Sequence, residues 1–174
     1  MLLNYAPPLD PYLDILYQDD DMLVINKPSG LLTVPGKDPK HADCAIARVN
    51  RVFPTARIVH RLDMATSGVL CLAMHKEAHR FLSIQFQDRL TNKYYIARVH
   101  GKLAQPTGSV DLPLTCDWPN RPKQMVCHES GKPSLTHFEV LDYEAAATRV
   151  KLTPITGRSH QLRVHMLSLG HVIL

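Results

Sequence analysis

The chain has 174 residues, of which 45% are hydrophobic and 21% charged. This composition excludes a disordered polypeptide and predicts a globular protein with a buried core. No stretch approaches the roughly 18 apolar residues that span a bilayer, and the chain opens without a secretory signal pattern, so we expect a cytoplasmic protein. The net charge of +4 is uneven, because residues 1–26 hold five aspartates and no lysine or arginine, which leaves +9 on residues 27–174. Such a surplus suits a polyanionic partner, although arginines that only solvate a surface explain it equally well.

The first half of the chain predicts a hairpin, a short helix and a buried strand. Apolar runs over 13–17 and 22–26 flank three consecutive aspartates, which is typical of a β-hairpin. Asp43 is placed to cap a short helix that ends before Pro54. Residues 68–74 form a nearly continuous apolar run, the pattern of a buried strand.

The second half predicts more strands than helices. In chain order we expect an amphipathic helix over 76–90, a strand over 93–100 with Tyr95, Ala97 and Val99 on one face, an irregular proline-rich loop over 113–123, strands over 137–143 and 148–155, and a last helix opened by Gly157 and stopped by Gly170. Many connections are too short for parallel crossovers. The predicted class is α+β, with a mostly antiparallel mixed sheet flanked by helices.

We read residues 1–174 as a single domain, because no repeat or long linker divides them. The chain ends in the apolar run Val172-Ile173-Leu174, which is unusual for a natural terminus and predicts truncation at the C-terminus.

The cysteines and histidines do not form a recognisable metal site. The four cysteines include no CxxC pair, so we expect free thiols in a reducing compartment. His160 and His165 are five residues apart and lack the glutamate of an HExxH motif, so no bound metal is expected.

Polar residues cluster where residues 60–68 lead into the predicted strand at 68–74. Arg61 and Asp63 lie at this junction, where a charged pair is expected at the edge of a sheet, a common place for functional sites. A structural ion pair with a turn capped by Thr66 is an alternative that these residues alone do not exclude.

Four blocks of sequence, in order, resemble the RluA family of pseudouridine synthases. They read NKPSGLLTVPG at 26–36, HRLDMATSGVLCLA at 60–73, KYYIA at 93–97 and GRSHQLRVH at 157–165. The resemblance extends from about residue 12 to the end of the chain. It implies the catalytic fold of that family and an isomerase that converts uridine to pseudouridine in RNA.

The resemblance also implies roles for individual residues. Asp63 is similar to the essential aspartate of the family, Tyr95 to the tyrosine that packs against the target base, and Arg163 to the arginine that pairs with the aspartate. Arg61 resembles the residue that fills the gap left by the flipped uridine. The block that contains Asn26 and Lys27 is expected to shape the core and neighbouring loops, without a catalytic role.

These residue types suit the reaction. Pseudouridine formation breaks the bond between C1′ and N1, rotates the uracil and joins C1′ to C5, so a carboxylate could stabilise or attack the sugar cation, as in glycosidases. Removal of the C2′ proton to give a glycal is an equally open route. An arginine would keep the carboxylate ionised in a closed pocket, and a tyrosine would provide a flat face for the uracil. No organic cofactor, redox group or metal is expected.

The loop over 116–129 resembles the dual-specificity branch of the family, whose members modify an anticodon-loop uridine in tRNA and a uridine in a large-subunit ribosomal RNA hairpin. Trp118, Arg121 and Lys123 are therefore candidates for gripping loop nucleotides, although a proline-stiffened surface loop also explains them. Arg158 and His160 are expected either to contact the RNA backbone or to be structural. Only some 25 residues precede the first block, so we expect no separate N-terminal RNA-binding domain, and a monomer.

Other functions remain open at this point. The chain could act on other ribosomal RNA uridines, or be an inactive RNA-binding fragment, since it ends where members of the family are expected to continue and Val172 stands where the family usually has proline. A hydrolytic nucleoside glycosidase is disfavoured, because no second carboxylate stands beside the tyrosine and arginine blocks to act as the acid.

Overall fold

The computed structural model describes residues 4–174, and the chain divides into two compact units, one ending at Leu90 and the other beginning at Thr91. Every strand pair in this part of the chain is antiparallel. The predicted α+β class is confirmed. The prediction of one catalytic domain over 1–174 stays a prediction.

The first unit contains one four-stranded sheet with the strand order β1-β2-β4-β3. Its elements are β1 Ile15–Gln18, β2 Met22–Lys27, α1 Ala45–Asn50, β3 Arg57–Ile58, β4 Gly68–Ala73 and α2 Lys76–Gln87. Because side chains alternate across a strand, β2 buries Leu23, Ile25 and Lys27. Leu70 and Leu72 are buried on β4, the strand that pairs with β2.

The second unit contains a sheet in the order β5-β10-β9-β6 and a separate β7-β8 hairpin. Its elements are β5 Tyr95–His100, β6 Thr107–Asp111, β7 Leu114–Cys116, β8 Gln124–Val126, β9 Leu135–Tyr143, β10 Ala147–Pro154 and α3 Gln161–Ser168. The predicted common face of β5 is confirmed, since Tyr95, Ala97 and Val99 all belong to the core of this unit. Met166 of α3 is buried in the same core.

Three local predictions were wrong. Asp43 does not cap α1, because Cys44 occupies the N-cap position and the Asp43 carboxylate bonds the buried Arg48 side chain instead. The stretch 113–123 is not wholly irregular, since it begins with β7 and leads into β8. The last helix does not open at Gly157 but at Gln161, preceded by His160 in a left-handed conformation with φ of 52°.

Besides β7 and β8, two further strands were not predicted. β3 has only two residues, too few for a periodic pattern, and β6 reads Thr-Gly-Ser-Val-Asp, in which Val110 is the only large apolar residue. No helix among residues 4–174 has the length and apolar character needed to cross a membrane.

Candidate active site

Asp63 lies in the first unit, on the loop between β3 and β4, where it begins a tight turn. The Asp63 carbonyl oxygen accepts a hydrogen bond from the Thr66 N–H at 3.0 Å. The Asp63 side chain is partly buried, whereas the neighbouring Arg61 is exposed. A carboxylate is therefore fixed at the end of a sheet, as the sequence predicts, beside a cation that is accessible to solvent.

The backbone around Asp63 is tied to residues 27–33 of the first block. The carbonyl of Met64 accepts bonds from the Gly30 N–H at 2.9 Å and from Lys27 Nζ at 3.2 Å, and that of Ala65 accepts one from Ser29 Oγ at 2.9 Å. The hydroxyl of Thr33 also donates a hydrogen bond to the Leu62 carbonyl oxygen at 2.7 Å. The four consecutive carbonyls from residue 62 to residue 65 are thus all hydrogen-bonded, which restrains the main chain that carries the carboxylate.

Lys27 supplies a buried positive charge to this loop. Its side chain is fully buried, and its ammonium also donates to the carbonyls of Pro28 at 2.9 Å and Leu31 at 2.6 Å. Burial lowers the pKa of Lys27 from 10.5 to about 8, and the nearby Asp63 carboxylate opposes this shift. The prediction that this block shapes neighbouring loops is confirmed. That the block also places a cation within electrostatic reach of Asp63 was not predicted.

His60 fixes the other end of the same segment. Its Nε2 accepts the N–H of Cys71 at 3.0 Å, so this nitrogen carries no proton. The ring stacks on Phe86 of α2, with 4.3 Å between the ring centroids. His60 is therefore joined to both β4 and α2, as expected of a structural residue.

Tyr95 and Arg163 both belong to the second unit. Tyr95 is partly buried at the start of β5, opposite Leu152 of β10. Arg163 is partly buried on α3, between the fully engaged side chains of Gln161 and His165. Because Gln161 and His165 are four residues apart, they share one face of the helix and leave Arg163 on the other side.

The face of α3 opposite Arg163 is fixed by a closed hydrogen-bond network. Gln161 Oε1 accepts from Thr156 Oγ1 at 2.7 Å and from the Arg158 N–H at 3.0 Å, and Gln161 Nε2 donates to Leu135 O and Thr136 Oγ1, each at 3.0 Å. Every polar atom of the buried amide is satisfied, which sets the rotation of the helix and thereby the direction of residue 163.

His165 continues this network in its neutral form. Its Nε2–H donates to the Leu112 carbonyl at 3.1 Å, so Nδ1 is free to accept from the Thr136 hydroxyl at 2.9 Å. Burial lowers the pKa of His165, while the bond to Leu112 opposes the shift. His165 is thus a structural residue of the second unit, and no group of three or more His, Cys, Asp or Glu among residues 4–174 is arranged to hold a metal.

The predicted RNA-contacting residues on the 116–129 loop lie at the exposed tip of the β7-β8 hairpin. Trp118 is 67% exposed, and the Arg121 guanidinium lies 4.5 Å from the centre of its ring. Lys123 is also exposed, and its carbonyl accepts the Asp117 N–H at 3.0 Å across the tip. An exposed aromatic ring with cations beside it is suited to stacking on an unpaired base.

Arg158 and His160 lie immediately before α3. Arg158 Nε donates to the Pro133 carbonyl at 3.4 Å, and the His160 carbonyl accepts the Val164 N–H at 3.0 Å as the first bond of the helix. Both side chains are partly exposed.

Asp63 belongs to the first unit, and the residues assigned to the tyrosine and arginine roles belong to the second, so their meeting in one site is part of the proposal below.

Residues 21–168 match the family described as RNA pseudouridylate synthase, and the chain belongs to this family. The predicted family and enzyme class, an isomerase that acts on RNA, are confirmed.

Among curated proteins, the chain is similar to relatives named "Dual-specificity RNA pseudouridine synthase RluA". It is 60% identical to that of Escherichia coli strain K12 over 172 residues, which is 98% of this chain and 78% of the relative. It is 56% identical to that of Pasteurella multocida over 174 residues, or 99% of this chain and 80% of the relative. The predicted resemblance to this branch of the family is confirmed.

Solved structures agree with this assignment. Human RNA Pseudouridylate Synthase Domain Containing 1 superposes with a TM-score of 0.76 and 30% identity, and Domain Containing 4 with 0.77 and 29%. Each match covers 92% of this chain and 66% of the human chain.

Proposed function

We propose that this protein isomerises uridine to pseudouridine in two kinds of RNA, an anticodon stem-loop of tRNA and a hairpin of large-subunit ribosomal RNA, with Asp63 as the catalytic carboxylate. The observation that carries the proposal is the restrained loop around Asp63, with a buried cation nearby, in a chain of this family. The names of the similar bacterial proteins support the dual specificity.

In the proposed reaction, the Asp63 carboxylate acts at the ribose of a flipped uridine. The bond between C1′ and N1 breaks, and the carboxylate either bonds to C1′ or removes the C2′ proton. The detached uracil turns within the site and C5 bonds to C1′, as the bond from Asp63 to C1′ breaks or, on the glycal route, as C2′ regains its proton. The C5 proton is then lost to a base, and N1 gains a proton. No atom is gained from or lost to another molecule apart from exchange of that proton with solvent.

We assign supporting roles to four further residues. Tyr95 gives the uracil a flat surface and places a phenol near C5, and Arg163 pairs with the Asp63 carboxylate. Arg61, which is exposed beside Asp63, fills the place vacated by the flipped base, for which a long planar guanidinium is suited. Arg158, which is partly exposed just before α3, contacts RNA phosphates.

The remaining RNA contacts are assigned to the hairpin tip and to the start of α3. Trp118 stacks on a loop base, while Arg121 and Lys123 neutralise phosphates. His160 would contact the RNA backbone beside Arg158. We expect the protein to act as a monomer, because one chain carries all the residues assigned to the reaction. The proposed tRNA and ribosomal RNA substrates favour the cytoplasm.

The proposal is tested with RNA tritiated at C5 of uridine, supplied as an anticodon stem-loop and, separately, as a ribosomal RNA hairpin. We expect wild-type protein to release tritium from both and Asp63→Asn to be slower by about a thousandfold or more, since the carboxylate that acts at the ribose is removed on either route. RNA affinity should change by less than roughly tenfold, because phosphate contacts dominate binding.

Asp20→Asn is the matched control, since it removes one carboxylate from an exposed position outside the assigned site. It should release label at the wild-type rate. Release of free uracil would indicate a hydrolase, and RNA binding without release by the wild type would indicate a binding module. Release from only one of the two RNAs would contradict the dual specificity.

A further inference from the structure

We propose that Thr33 is a positioning residue for the catalytic carboxylate and that it acts through the backbone of Leu62. The inference rests on the proposed function, because it concerns how Asp63 is held in place for the reaction. Of the ties to the 62–65 backbone, the one from Thr33 alone lies on the N-terminal side of Asp63.

A single hydroxyl group makes both bonds of this tie. Thr33 Oγ1 donates to the Leu62 carbonyl oxygen at 2.7 Å and accepts the Leu62 N–H at 3.2 Å. Thr33 is 3% exposed and Leu62 8%, so water has little access to replace either bond. The main chain directly before Asp63 is therefore clamped at both of its polar groups.

Thr33 is itself held by the start of α1. Its carbonyl oxygen accepts the Ile46 N–H at 3.2 Å, and the carbonyl of Leu32 accepts the Ala45 N–H at 2.8 Å. The Leu32 N–H in turn donates to the Tyr5 hydroxyl at 3.0 Å. The clamp thus connects the catalytic loop to a helix of the same unit, and a buried helix end is a stiffer support than another loop.

The clamp requires a side chain that is donor and acceptor at one atom. Serine and threonine meet this requirement, whereas valine has the shape of threonine and neither function. In Thr33→Val the N–H and carbonyl of Leu62 would be buried without partners, so the chain would shift to reach other partners or water. A displacement of about 1 Å at a reacting group can reduce the rate up to about a hundredfold.

The test compares Thr33→Val and Thr33→Ser in single-turnover tritium release from C5-labelled anticodon stem-loop RNA. We expect Thr33→Val to reduce the rate at saturating RNA about tenfold or more, with the Kd for RNA within about threefold of wild type. Thr33→Ser should stay within about threefold in both. A role limited to overall stability would not produce this division between rate and affinity, nor the rescue by serine.

Thr148→Val is the matched control in the second unit. Thr148 is fully buried, and its hydroxyl likewise donates to a carbonyl, that of Gly101 at 2.7 Å, and accepts an N–H, that of Leu103 at 3.3 Å. It should lose stability much as Thr33→Val does, yet keep the tritium-release rate within about threefold of wild type at a temperature where both variants are folded.

Hydrogen exchange gives a second, independent measurement. The Leu62 amide should exchange at least about tenfold faster in Thr33→Val than in wild type and at the wild-type rate in Thr148→Val. If Thr33→Val does not fold, Thr33→Cys replaces it, because a thiol is a much weaker donor and acceptor; its rate should then fall below that of Thr33→Ser.

The inference is overturned if Thr33→Val, or Thr33→Cys in its place, releases label as fast as Thr33→Ser, if Thr148→Val loses as much rate, or if exchange at Leu62 does not change. These outcomes differ from failure of the proposed function. An inactive wild type, or an active Asp63→Asn, would remove the catalytic role of Asp63, whereas an active wild type with an inactive Asp63→Asn would leave that role in place.

Discussion

Lys27 places an ammonium group in a fully buried position, where it bonds three backbone carbonyls and lies within electrostatic reach of Asp63. The carbonyl bonds offset part of the free energy needed to remove the charge from water. The remaining penalty is expressed in the lowered pKa of about 8. Because burial disfavours the charged form of Lys27, the contribution of this residue to the free energy of unfolding depends on pH.

The sign of this dependence follows from proton linkage. Between pH 8 and 10.5 the unfolded chain holds a proton on Lys27 that the folded chain has released, so the free energy of unfolding rises with pH in this window, by at most about 1.4 kcal/mol per pH unit. We expect the unfolding free energy of wild type minus that of Lys27→Met to become more positive between pH 7.5 and 9.5. Urea unfolding at the two pH values measures it.

The control is Lys76→Met, an exposed lysine at the start of α2. Its difference from wild type should be the same at both pH values. Titration of other groups cancels, because each variant is compared with wild type at the same pH. A constant difference for Lys27→Met as well would contradict the assigned linkage.

At the residue scale, the sequence identifies candidate catalytic residues, whose roles stay predictions, and it does not predict their contacts. Asp63, Tyr95 and Arg163 are identifiable because they stand in blocks whose order is specific. The roles of Lys27 and Thr33 toward Asp63 are not identifiable, since they depend on contacts across 29 to 37 residues of chain. A lysine and a threonine among apolar residues of the first block were the available signal, and composition alone does not reveal their partners.

Among the elements, the β7-β8 hairpin exposes side chains at its tip, so a substitution there can change RNA affinity with little effect on the free energy of unfolding. Trp118 is 67% exposed, so Trp118→Ala should change the unfolding free energy by less than about 0.5 kcal/mol. Loss of a stacked base should weaken RNA binding by about 1–3 kcal/mol. Fluorescence anisotropy with a labelled anticodon stem-loop and urea unfolding measure the two effects.

Phe81→Ala is the matched control for this prediction, because Phe81 is an aromatic residue of α2 that is 63% exposed. It should leave both RNA affinity and stability nearly unchanged. Equal losses of affinity in both variants, or no loss in Trp118→Ala, would show that the hairpin does not stack on RNA.

Strong apolar periodicity predicted the existence and bounds of helices and strands well. Candidate cap residues and proline content predicted helix starts and loops poorly. β4, α2, β9 and β10 follow from long patterned runs, and their predicted bounds differ from the structure by one to three residues. Three prolines over 113–123 concealed β7 within that stretch and β8 directly after it, since proline is usually found outside regular ladders. Asp43 was assigned a capping role, but ion pairing with the buried Arg48 satisfies both charges and outweighs a cap bond.

At the scale of the whole molecule, the uneven charge of the chain predicts how RNA binding responds to salt. The affinity should fall linearly on a logarithmic plot against salt concentration, because each phosphate that is neutralised releases counterions. If Lys123 contacts a phosphate, Lys123→Gln should reduce the slope by about 0.7–0.9. RNA titrations between 50 and 200 mM salt, roughly the range over which such slopes are resolved, measure the change.

Lys76→Gln removes the same charge from an exposed position outside the proposed RNA contacts and should leave the slope as in wild type. An unchanged slope in Lys123→Gln would remove this lysine from the contact set while leaving the hairpin tryptophan unaffected.

The restraints on the loop that carries Asp63 have a consequence for biosynthesis. All of them come from residues 27–66, inside the unit that ends at Leu90, so they can form on the ribosome before the arginine of the last helix is made. At about 5–20 residues per second, roughly 4–15 s of translation separate residue 90 from residue 163. The loop around Asp63 can thus reach its final conformation while residue 163 has not yet been added to the nascent chain.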